Sequence, residues 1–432
     1  SVASVSAALP GGAHGEGAAW LIAASATPAF VQVPAARWDP PADSHAGVPN
    51  VRHGAFLSHI DLYDYDAFAV VKAEATTMDP QQRLLLGHSY SALHSASFDR
   101  SSLLQSSEGL GVFVGVMSNE FPAAAALQNA YSMTGTGHCF ASGRISYVLG
   151  LQGECVTIDT ACSSALVALH SARRSLHAAD CADALVAGIN LVFLPTQAYA
   201  YSAAGLTSTS GASMPFDARA DGFVRGEGVG AAVLASAEKE PEHHSSATAL
   251  LAAGSAIRQD GKSASLTAPN GRAQQKLFGA LLTDSSRVVA ASPALVESAA
   301  NGSPLGDPIE VGALTQGLAP PGMAPVAVSG VKALIGHTES ASGVVGLTRL
   351  LGSIRRRAVA PNAQLRSMAP HVHSAVRPTN AKEARSPAPR CWLPTHVSHL
   401  RPATLLGFVN SFGLGGTIGC ASLASEAARP SS

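Results

Sequence analysis

A single cysteine occupies a position suited to a nucleophile. Cys162 lies between the apolar run 154–158, which predicts a buried β-strand, and a segment with apolar residues at helical spacing, Leu166, Val167 and Leu169. A thiol at the entrance of a helix is close to unpaired N–H groups and the positive end of the helix dipole, which favour thiolate over thiol. We expect Cys162 to be the nucleophile and to be alkylated at neutral pH faster than the other cysteines. A cysteine alone is more often an ordinary buried side chain, so this assignment depends on the surrounding motifs.

The composition indicates one large folded unit and gives no sign of a highly charged binding partner. Of the 432 residues, 47% are hydrophobic and 13% are charged, which favours a large core and one compact bilobal unit. The net charge of −1 gives no general attraction to nucleic acid or to anionic membranes. The sequence has no apolar run of membrane-spanning length and no N-terminal signal pattern. We therefore expect a soluble intracellular protein, cytoplasmic or plastid, with no nucleic-acid partner and no membrane span.

Several common kinds of site find no support in the sequence. The six cysteines include no C-x-x-C pair, so reduced thiols are expected rather than a zinc site or a redox pair. The pairs His243/His244 and His371/His373 lack partners at ligand spacing, and no metal site is predicted. The glycines near the C-terminus do not match G-x-G-x-x-G, and there is no G-x-S-x-G motif. These patterns exclude a dinucleotide loop and give no support to a serine hydrolase.

Strand and helix signals alternate along the chain, which is the pattern of layered α/β folds. A polar stretch at 238–246 follows the strand-like run 229–235 and precedes another such run. We place the boundary between two halves there, with an N-terminal half of residues 1–240 and a C-terminal half of residues 241–432. A second polar stretch, 379–390, predicts a surface loop before the closing strands.

The motifs along the chain point to one family. The cysteine lies in Asp-Thr-Ala-Cys-Ser-Ser at 159–164, which resembles the active-site signature of β-ketoacyl synthases, in particular the ketosynthase domains of modular type I polyketide synthases. The chain begins within that family's first strand and stops soon after its last, so we expect it to be a segment of a longer polypeptide. Further segments similar to the family are 33–39, 74–86, 111–115, 216–228, 267–271 and 305–310.

The resemblance implies a fold and a set of partners. The fold class is α/β, a thiolase-like fold of two pseudo-duplicated halves in a five-layered αβαβα arrangement. A homodimer is implied, paired through a strand of the N-terminal half, for which the run 184–192 or the strand before Cys162 could supply the edge. The resemblance also implies no cofactor of the protein's own, since substrates arrive on the phosphopantetheine of an acyl carrier protein. Neighbouring polyketide synthase domains are the other expected partners.

The family's chemistry can be carried over onto matching residues. Cys162 would accept an acyl group, and backbone N–H groups of Cys162 and Leu414 would form the oxyanion hole. Leu414 belongs to a glycine-rich oxyanion loop that contains Gly413, Gly415 and Gly416. In the second stage malonyl-carrier protein loses carbon dioxide and the resulting carbanion attacks the acyl-cysteine. The resemblance thus implies two separable steps, acyl transfer and decarboxylative condensation.

Two histidines of the family serve the second stage by donating hydrogen bonds to the thioester oxygen. His337, in the segment 332–339, retains the second histidine and is accompanied by Lys332. We expect Lys332 to anchor or pair a charge rather than to carry a proton, with Glu339 as its partner. His337 and Lys332 are therefore the remaining candidate catalytic residues.

The first histidine is missing. Alignment on Leu-Gly-Asp at 305–307 places Ala299 at its position, and no histidine lies between His244 and His337. Ala300 replaces the family's next glycine, which could disfavour the usual backbone path. Other departures from the family pattern are Arg258, Leu334, Ile418 and Cys420.

Three functions are compatible with this pattern: a working ketosynthase that tolerates Ala299, a non-elongating ketosynthase that passes on acyl chains, and a dimeric scaffold without catalysis. Retention of the cysteine motif and of the glycine loop argues against the scaffold. Loss of the histidine argues against full condensation. Because transacylation requires only a nucleophile and an oxyanion hole, we favour the non-elongating ketosynthase.

Overall fold

A computed structural model describes residues 1–39, 51–99, 103, 109–125, 129–236, 250–318, 324–377 and 389–425. The strands are β1 (Val2–Leu9), β2 (Ala13–His14), β3 (Val31–Gln32), β4 (His53–Gly54), β5 (Leu110–Gly115), β6 (Cys155–Ile158), β7 (Asp183–Asn190), β8 (Gly228–Ala235), β9 (Leu250–Gln259), β10 (Pro293–Glu297), β11 (Val326–Ser329), β12 (Ala358–Val359), β13 (Cys391–Trp392), β14 (Ser398–His399), β15 (Leu406–Phe412) and β16 (Thr417–Ser425).

Helices alternate with these strands through both halves. They are α1 (Gly15–Ser25), α2 (Lys72–Thr77), α3 (Pro80–Ser95), α4 (Phe121–Ala125), α5 (Ser132–Thr136), α6 (Phe140–Leu149), α7 (Ser164–Ala178), α8 (Thr196–Ala203), α9 (Gly271–Ser286), α10 (Gly306–Gly317), α11 (Lys332–Ile335), α12 (Ser342–Arg355) and α13 (Pro370–Ala375), with a 3₁₀ turn at Glu339–Ala341.

Twelve of the described strands form one mixed sheet in the order β13-β11-β10-β15-β16-β9-β1-β8-β7-β5-β6, with β2 beside β1. In the N-terminal half β5 is parallel to β6 and β7, whereas β8 is antiparallel to β7 and β1. The C-terminal half repeats the pattern, since β10 is parallel to β11 and β15 while β16 is antiparallel to β15 and β9. The two halves meet where β1 pairs with β9. This repetition confirms the predicted pseudo-duplication.

The helices lie in three layers around the two halves of the sheet. Helices α7 and α12 are central, because each contacts strands of both halves. Helices α3 and α6 cover the outer face of the N-terminal strands, and α9 covers the outer face of β9 and β16 with α10 packed beside it. The predicted five-layered αβαβα arrangement is confirmed.

Glycines in the central strands allow the central helix α7 to pack closely against the sheet. A Cβ atom added at Gly115 would lie 2.6 Å from the backbone nitrogen of Ala165, and one at Gly188 would lie 2.9 Å from the Cβ of the same alanine. Every residue of β7 and β8 is buried, as expected of strands covered on both faces. This close packing places the start of α7, and with it Cys162, at the carboxyl ends of β5 and β6.

Two strand predictions need correction. The strand before Cys162 is present as β6, but it is not buried, because it is the last strand of the sheet and Cys155 is exposed. The run 184–192 is not an edge: β7 pairs with β5 on one side and with β8 on the other. Of the two strands proposed for a dimer edge, only β6 has an open side in the described sheet.

The predicted boundary at 238–246 and most of the predicted loop at 379–390 lie outside the described residues. The strand-like run before the boundary is β8, close to its predicted extent. Within the described part of the chain, no helix combines the length and the apolar character that crossing a bilayer requires.

A buried ion pair joins the end of β10 to α12. The carboxylate of Glu297 accepts a short hydrogen bond from Arg349 Nη1 and another from the N–H of Val331 (2.7 Å). The same guanidinium donates to the hydroxyl of Ser329 (2.6 Å). Burial raises the pKa of Glu297, and the positive charge of Arg349 opposes that rise. The cluster therefore holds together the two segments that lead into the loops after β10 and β11.

We predict that Arg349→Met lowers the free energy of unfolding by about 3–5 kcal/mol, because it leaves the Glu297 carboxylate buried without its partner. Urea unfolding followed by circular dichroism measures the loss. The control is Arg355→Met, since Arg355 pairs with Glu16 at a more exposed position and its loss should cost about 1 kcal/mol or less. Equal losses in the two variants would contradict the role given to the buried pair.

Candidate active site

The nucleophile turn is held by hydrogen bonds of its own hydroxyl groups. Ala161 has a left-handed backbone, with φ of 56°, and directs the chain from β6 into α7. The hydroxyl of Ser164 accepts from the N–H of Thr160 (2.9 Å) and donates to the carbonyl of Ala161 (2.6 Å). The hydroxyl of Ser163 donates to the carbonyl of Thr160 (2.8 Å). These bonds fix Cys162 at the entrance of the helix, as the motif predicted.

The C-terminal half contributes the loop between β15 and β16. Gly413 packs so closely on the nucleophile turn that an added Cβ would lie 2.4 Å from the carbonyl oxygen of Thr160. The hydroxyl of Ser411 donates to the carbonyl of Cys162 (2.6 Å). These contacts bring Leu414 and Cys162 into the wall of the same cavity. The backbone N–H groups of both residues act to lower the pKa of the Cys162 thiol.

The other two glycines of the loop have different surroundings. Gly416 has φ of 85°, and an added Cβ would lie 2.4 Å from Oε1 of Gln259, so a side chain is excluded there. Gly415 lines the cavity described below and has open space where a Cβ would be. The tight turn thus depends on Gly413 and Gly416, whereas Gly415 leaves room at the site.

The expected thiolate is not what the structure favours. Burial raises the pKa of the Cys162 thiol to about 11, and the nearby Glu339 carboxylate adds to the rise. Lys332 and the N–H groups of Leu414 and Cys162 act in the opposite direction without compensating for burial. The structure therefore favours a protonated Cys162 thiol at neutral pH, in contrast to the thiolate predicted for a helix N-terminus. A protonated thiol must lose its proton as it reacts.

His337 follows α11, and both its backbone N–H and its backbone carbonyl are hydrogen-bonded. Its N–H donates to the carbonyl of Val224 (2.7 Å), and its carbonyl accepts from the N–H of Gly226 (2.9 Å). Gly336, with φ of 70°, lies where an added Cβ would be 2.7 Å from the carbonyl of Val224. The ring packs edge-on against Phe223 at a centroid distance of 5.0 Å. The imidazole is thus fixed in one orientation.

The hydrogen bonds of His337 select one neutral tautomer. The N–H of Glu339 donates to Nδ1 (3.2 Å), so Nδ1 is an acceptor and the hydroxyl of Ser342 donates to it as well (3.1 Å). Burial lowers the pKa of His337 well below its usual value, and the positive charges of Lys332 and Arg225 lower it further. The ring is therefore neutral with its proton on Nε2, which suits a hydrogen-bond donor rather than a base.

Lys332 has a different partner from the one predicted. Its Nζ donates to the backbone carbonyl of Ala299 (2.6 Å). Glu339 instead accepts from Nε of Arg225 (2.5 Å), so the predicted Lys332–Glu339 pair is wrong. Burial lowers the pKa of Lys332, while the negative charges that Cys162 and Glu310 can carry raise it. Lys332 anchors the loop after β10 and adds positive charge beside the thiol.

The loop that contains Ala299 is held by two buried carboxylates. Glu310 accepts from the N–H of Ala299 (2.8 Å). Asp307 accepts from the N–H groups of Asn301 (3.2 Å) and Gly302 (3.1 Å). Gly302 has φ of 88°, whereas Ala300 does not have a positive φ. The expected conflict between an alanine at 300 and the backbone path is therefore not present.

These elements surround one cavity of ≈ 460 Å³. Cys162, Ala299, Lys332, His337 and Leu414 all line it, so the structure brings together the residues selected from sequence. Other lining residues received no role from the sequence, although one of them, Phe223, lies in the motif 216–228. They include Met117, Gln197, Tyr201, Leu206, Phe223 and Gln274.

We predict that alkylation of Cys162 by iodoacetamide rises with pH, about tenfold per pH unit between about pH 7 and pH 9.5, because only the thiolate reacts. At neutral pH the exposed Cys139 and Cys155 should react first. Peptide mass spectrometry of time-resolved samples measures each site, with Cys162→Ala identifying the peptide. A rate for Cys162 that is already constant at neutral pH would show that the helix N-terminus outweighs burial.

The sequence and the fold of the chain match one protein family. The profile of the beta-ketoacyl synthase N-terminal domain matches residues 1–240, and that of the C-terminal domain matches residues 250–366. One phenolphthiocerol/phthiocerol polyketide synthase polypeptide of Mycobacterium tuberculosis (strain CDC 1551 / Oshkosh) is 37% identical over 426 residues, which are 96% of this chain and 27% of that protein. Another polypeptide of the same synthase is 35% identical over 420 residues, 95% of this chain and 22% of that protein. The chain spans about a quarter of the length of these relatives.

Solved structures agree with the sequence relatives. The ketosynthase from module 6 of the bacillaene synthase from Bacillus subtilis 168 has a TM-score of 0.86 at 29% identity and covers 99% of this chain and 72% of that one. The oxazolomycin ketosynthase domain OzmH KS7 of Streptomyces albus JA3453 has a TM-score of 0.87 at 26% identity and covers 99% of this chain and 75% of that one. With both halves matched, the chain belongs to the β-ketoacyl synthases and is a ketosynthase domain of the modular polyketide synthase type.

Proposed function

We propose that Cys162 accepts an acyl chain from the phosphopantetheine thioester of an acyl carrier protein. The sulfur attacks the thioester carbonyl, a new S–C bond forms, and the pantetheine sulfur leaves as a thiol with the proton that Cys162 gives up. The packing of the glycine loop on the nucleophile turn carries this proposal, because it places Leu414 beside Cys162 in the cavity wall, where its backbone N–H would be offered to the oxyanion of the tetrahedral intermediate. No cofactor of the protein's own takes part.

The raised pKa of Cys162 fits such an exchange. A half-buried thiol that ionises only during the reaction reacts slowly with other electrophiles until a thioester enters the cavity. Lys332 and the two N–H groups favour the anionic form once it develops. Transacylation therefore needs only groups that surround Cys162.

We further propose that the domain is non-elongating, with Ala299 at the position of the family's first histidine. Condensation requires the C–C bond of a malonyl thioester to break with release of carbon dioxide, leaving negative charge on the thioester oxygen. His337 offers one Nε2–H donor to that oxygen, and Ala299 offers no side-chain donor. One donor of the pair is missing, so decarboxylation is the step that should suffer.

A fully active ketosynthase is the second candidate. It is favoured by Lys332, whose Nζ lies on the carbonyl of Ala299 and so places a buried positive charge beside the position of the missing histidine. A positive charge could stabilise the enolate oxygen in place of a second imidazole. A scaffold without catalysis finds less support, because it would not require a cysteine at the entrance of a helix with a glycine loop packed on its turn.

An acyl carrier protein and the neighbouring domains of a polyketide synthase are the proposed partners, in an intracellular setting. A homodimer is proposed through β6. The carbonyls of Glu154 and Ile158 accept from the N–H groups of Val112 and Val116 in and beside β5. Since alternate residues of a strand direct their backbone groups to opposite sides, Cys155 directs its N–H to the open side. A second copy of β6 could pair there.

We predict that the unmodified domain acylates Cys162 from an acyl-pantetheine thioester but releases carbon dioxide from malonyl-carrier protein slowly. Ala299→His should raise decarboxylation by about 10²–10³-fold and leave acylation nearly unchanged. Intact-mass spectrometry measures acylation, and release of labelled carbon dioxide measures decarboxylation. Because Ala300 does not need a positive φ, the single change should suffice.

Three controls define this experiment. The variant Ala299→His, Ala300→Gly, Asn301→Thr tests whether the loop also needs its family residues. Cys162→Ala should abolish acylation, and Cys155→Ala should not. If the unmodified domain already condenses at the rate of Ala299→His, the non-elongating proposal fails and the second candidate takes its place.

We predict that the protein sediments as a homodimer at micromolar concentration and that Cys155→Pro, which removes the outward N–H of β6, gives a monomer. Cys155→Val keeps the N–H and serves as the matched control. Sedimentation velocity distinguishes the two species, and circular dichroism verifies folding. A monomeric parent protein, or a proline variant that stays dimeric, would count against pairing through β6.

A further inference from the structure

A tyrosine that the proposed mechanism does not use lies in the cavity beside the nucleophile. Tyr201 belongs to α8 and lines the cavity together with Cys162. Gln197, one helical turn earlier and therefore on the same face, lines the cavity as well. Apolar residues of the same cavity include Met117, Leu206 and Phe223. The cavity thus offers a hydroxyl and an amide together with side chains suited to methylene groups.

The ring of Tyr201 is held in place by its neighbours. Phe223 contacts it edge-on at a centroid distance of 5.8 Å, and the guanidinium of Arg225 lies over its face at 5.7 Å. Arg225 is itself bound to Glu339. Because Phe223 also packs on His337, the tyrosine is fixed relative to the catalytic imidazole. Such a preorganised ring can present its hydroxyl to a substrate at little cost in conformational entropy.

The hydroxyl of Tyr201 stays protonated and can donate. Burial raises the pKa of the phenol above its usual value, and the charges of Glu339 and Cys162 raise it further. Tyr201 and Cys162 line the same cavity, so the ring borders the space that an acyl chain on the sulfur would enter. A hydrogen bond with the Gln197 side chain acts in the opposite direction, as expected if Gln197 donates to the phenol oxygen. The O–H of Tyr201 is then available to a substrate acceptor.

We propose that Tyr201 and Gln197 form a subsite for an oxygen substituent on the β-carbon of the acyl chain carried by Cys162. The inference rests on the proposed acylation of Cys162. A condensation that forms a β-ketoacyl chain leaves a keto oxygen on the β-carbon. A chain that arrives from such a step therefore carries this oxygen two carbons away from the thioester carbonyl carbon. Tyr201 donates to that oxygen, and the amide oxygen of Gln197 accepts from a β-hydroxyl. The substrates are β-hydroxyacyl or β-ketoacyl thioesters rather than saturated ones.

The proposed selectivity depends on the cost of leaving the Tyr201 hydroxyl without a hydrogen-bond partner. A saturated chain would cover the Tyr201 hydroxyl with methylene groups and leave its O–H without an acceptor. A site built to hydrogen-bond a substrate oxygen discriminates against the analogue that lacks it. The preceding reaction in the sequence would therefore be one that leaves the β-oxygen in place, either a condensation or a ketone reduction without dehydration.

The test compares acylation of Cys162 by butyryl-, 3-hydroxybutyryl- and 3-oxobutyryl-pantetheine, followed by intact-mass spectrometry. In the unmodified protein the two oxygenated thioesters should react faster than butyryl. Tyr201→Phe, which removes only the hydroxyl, should reduce that preference by about five- to tenfold, because the oxygenated chains lose a hydrogen bond and butyryl no longer leaves a hydroxyl unpaired. The matched control is Tyr199→Phe on the same helix, which should keep the preference. Gln197→Met should reduce the preference for the 3-hydroxy chain more than for the 3-oxo chain.

The outcomes separate this inference from the proposed function. If none of the three thioesters acylates Cys162, the proposed function itself fails. If all three acylate Cys162 and Tyr201→Phe leaves their relative rates unchanged, acyl transfer stands and the β-oxygen subsite is wrong. A preference of the unmodified protein for butyryl over both oxygenated chains would also overturn the subsite.

Discussion

The contact between Gly413 and the nucleophile turn is the constraint on which the site depends. The first belongs to the C-terminal half and the second to the N-terminal half, and a side chain as small as methyl would collide with the carbonyl of Thr160. Ser411 reinforces the contact through its bond to the carbonyl of Cys162. Because the two halves meet this closely, Leu414 lines the same cavity as Cys162. The pseudo-duplicated sheet and the two central helices hold the halves at that distance.

Desolvation is the second constraint, because it shifts the pKa values of Cys162, His337 and Lys332, which line the cavity. The same enclosure that brings two N–H donors to Cys162 removes water from it and raises its pKa. His337 is kept neutral and Lys332 is made less basic by the same cause. Backbone carbonyls and N–H groups take much of the place of solvent, as in the bond from Lys332 to Ala299. The cavity is therefore arranged around neutral donors and one buried amine rather than around an ionised thiol and a base.

The buried carboxylates explain why the loop at Ala299 can keep its path without a histidine. Asp307 and Glu310 bind successive backbone N–H groups of the loop, so its course does not depend on the side chain at 299. A change from histidine to alanine at such a position would remove a hydrogen-bond donor from the cavity without unfolding the segment. This separation of backbone support from side-chain chemistry is what makes a site that transfers acyl chains without condensing them physically reasonable.

The amino-acid sequence by itself determined the family, the alternation of strands and helices and the α/β layers, because each depends on local motifs and on hydrophobic periodicity. Those motifs also selected part of the cavity wall, including Cys162, Lys332 and His337. Sequence did not determine the pKa of Cys162, since a helix N-terminus can be recognised locally whereas burial depends on what the other half places over the thiol. The Lys332–Glu339 pair predicted from the sequence was wrong, although the two residues are only seven apart. The actual partner of Glu339, Arg225, is distant in the sequence and comes close only in the folded chain. Whether β6 or β7 lies at the sheet edge depends on strand order, which no single strand encodes. The position of Tyr201 beside Cys162 was likewise decided by the tertiary structure alone, since packing against Phe223 and Arg225 turns an ordinary helical tyrosine into part of the cavity wall.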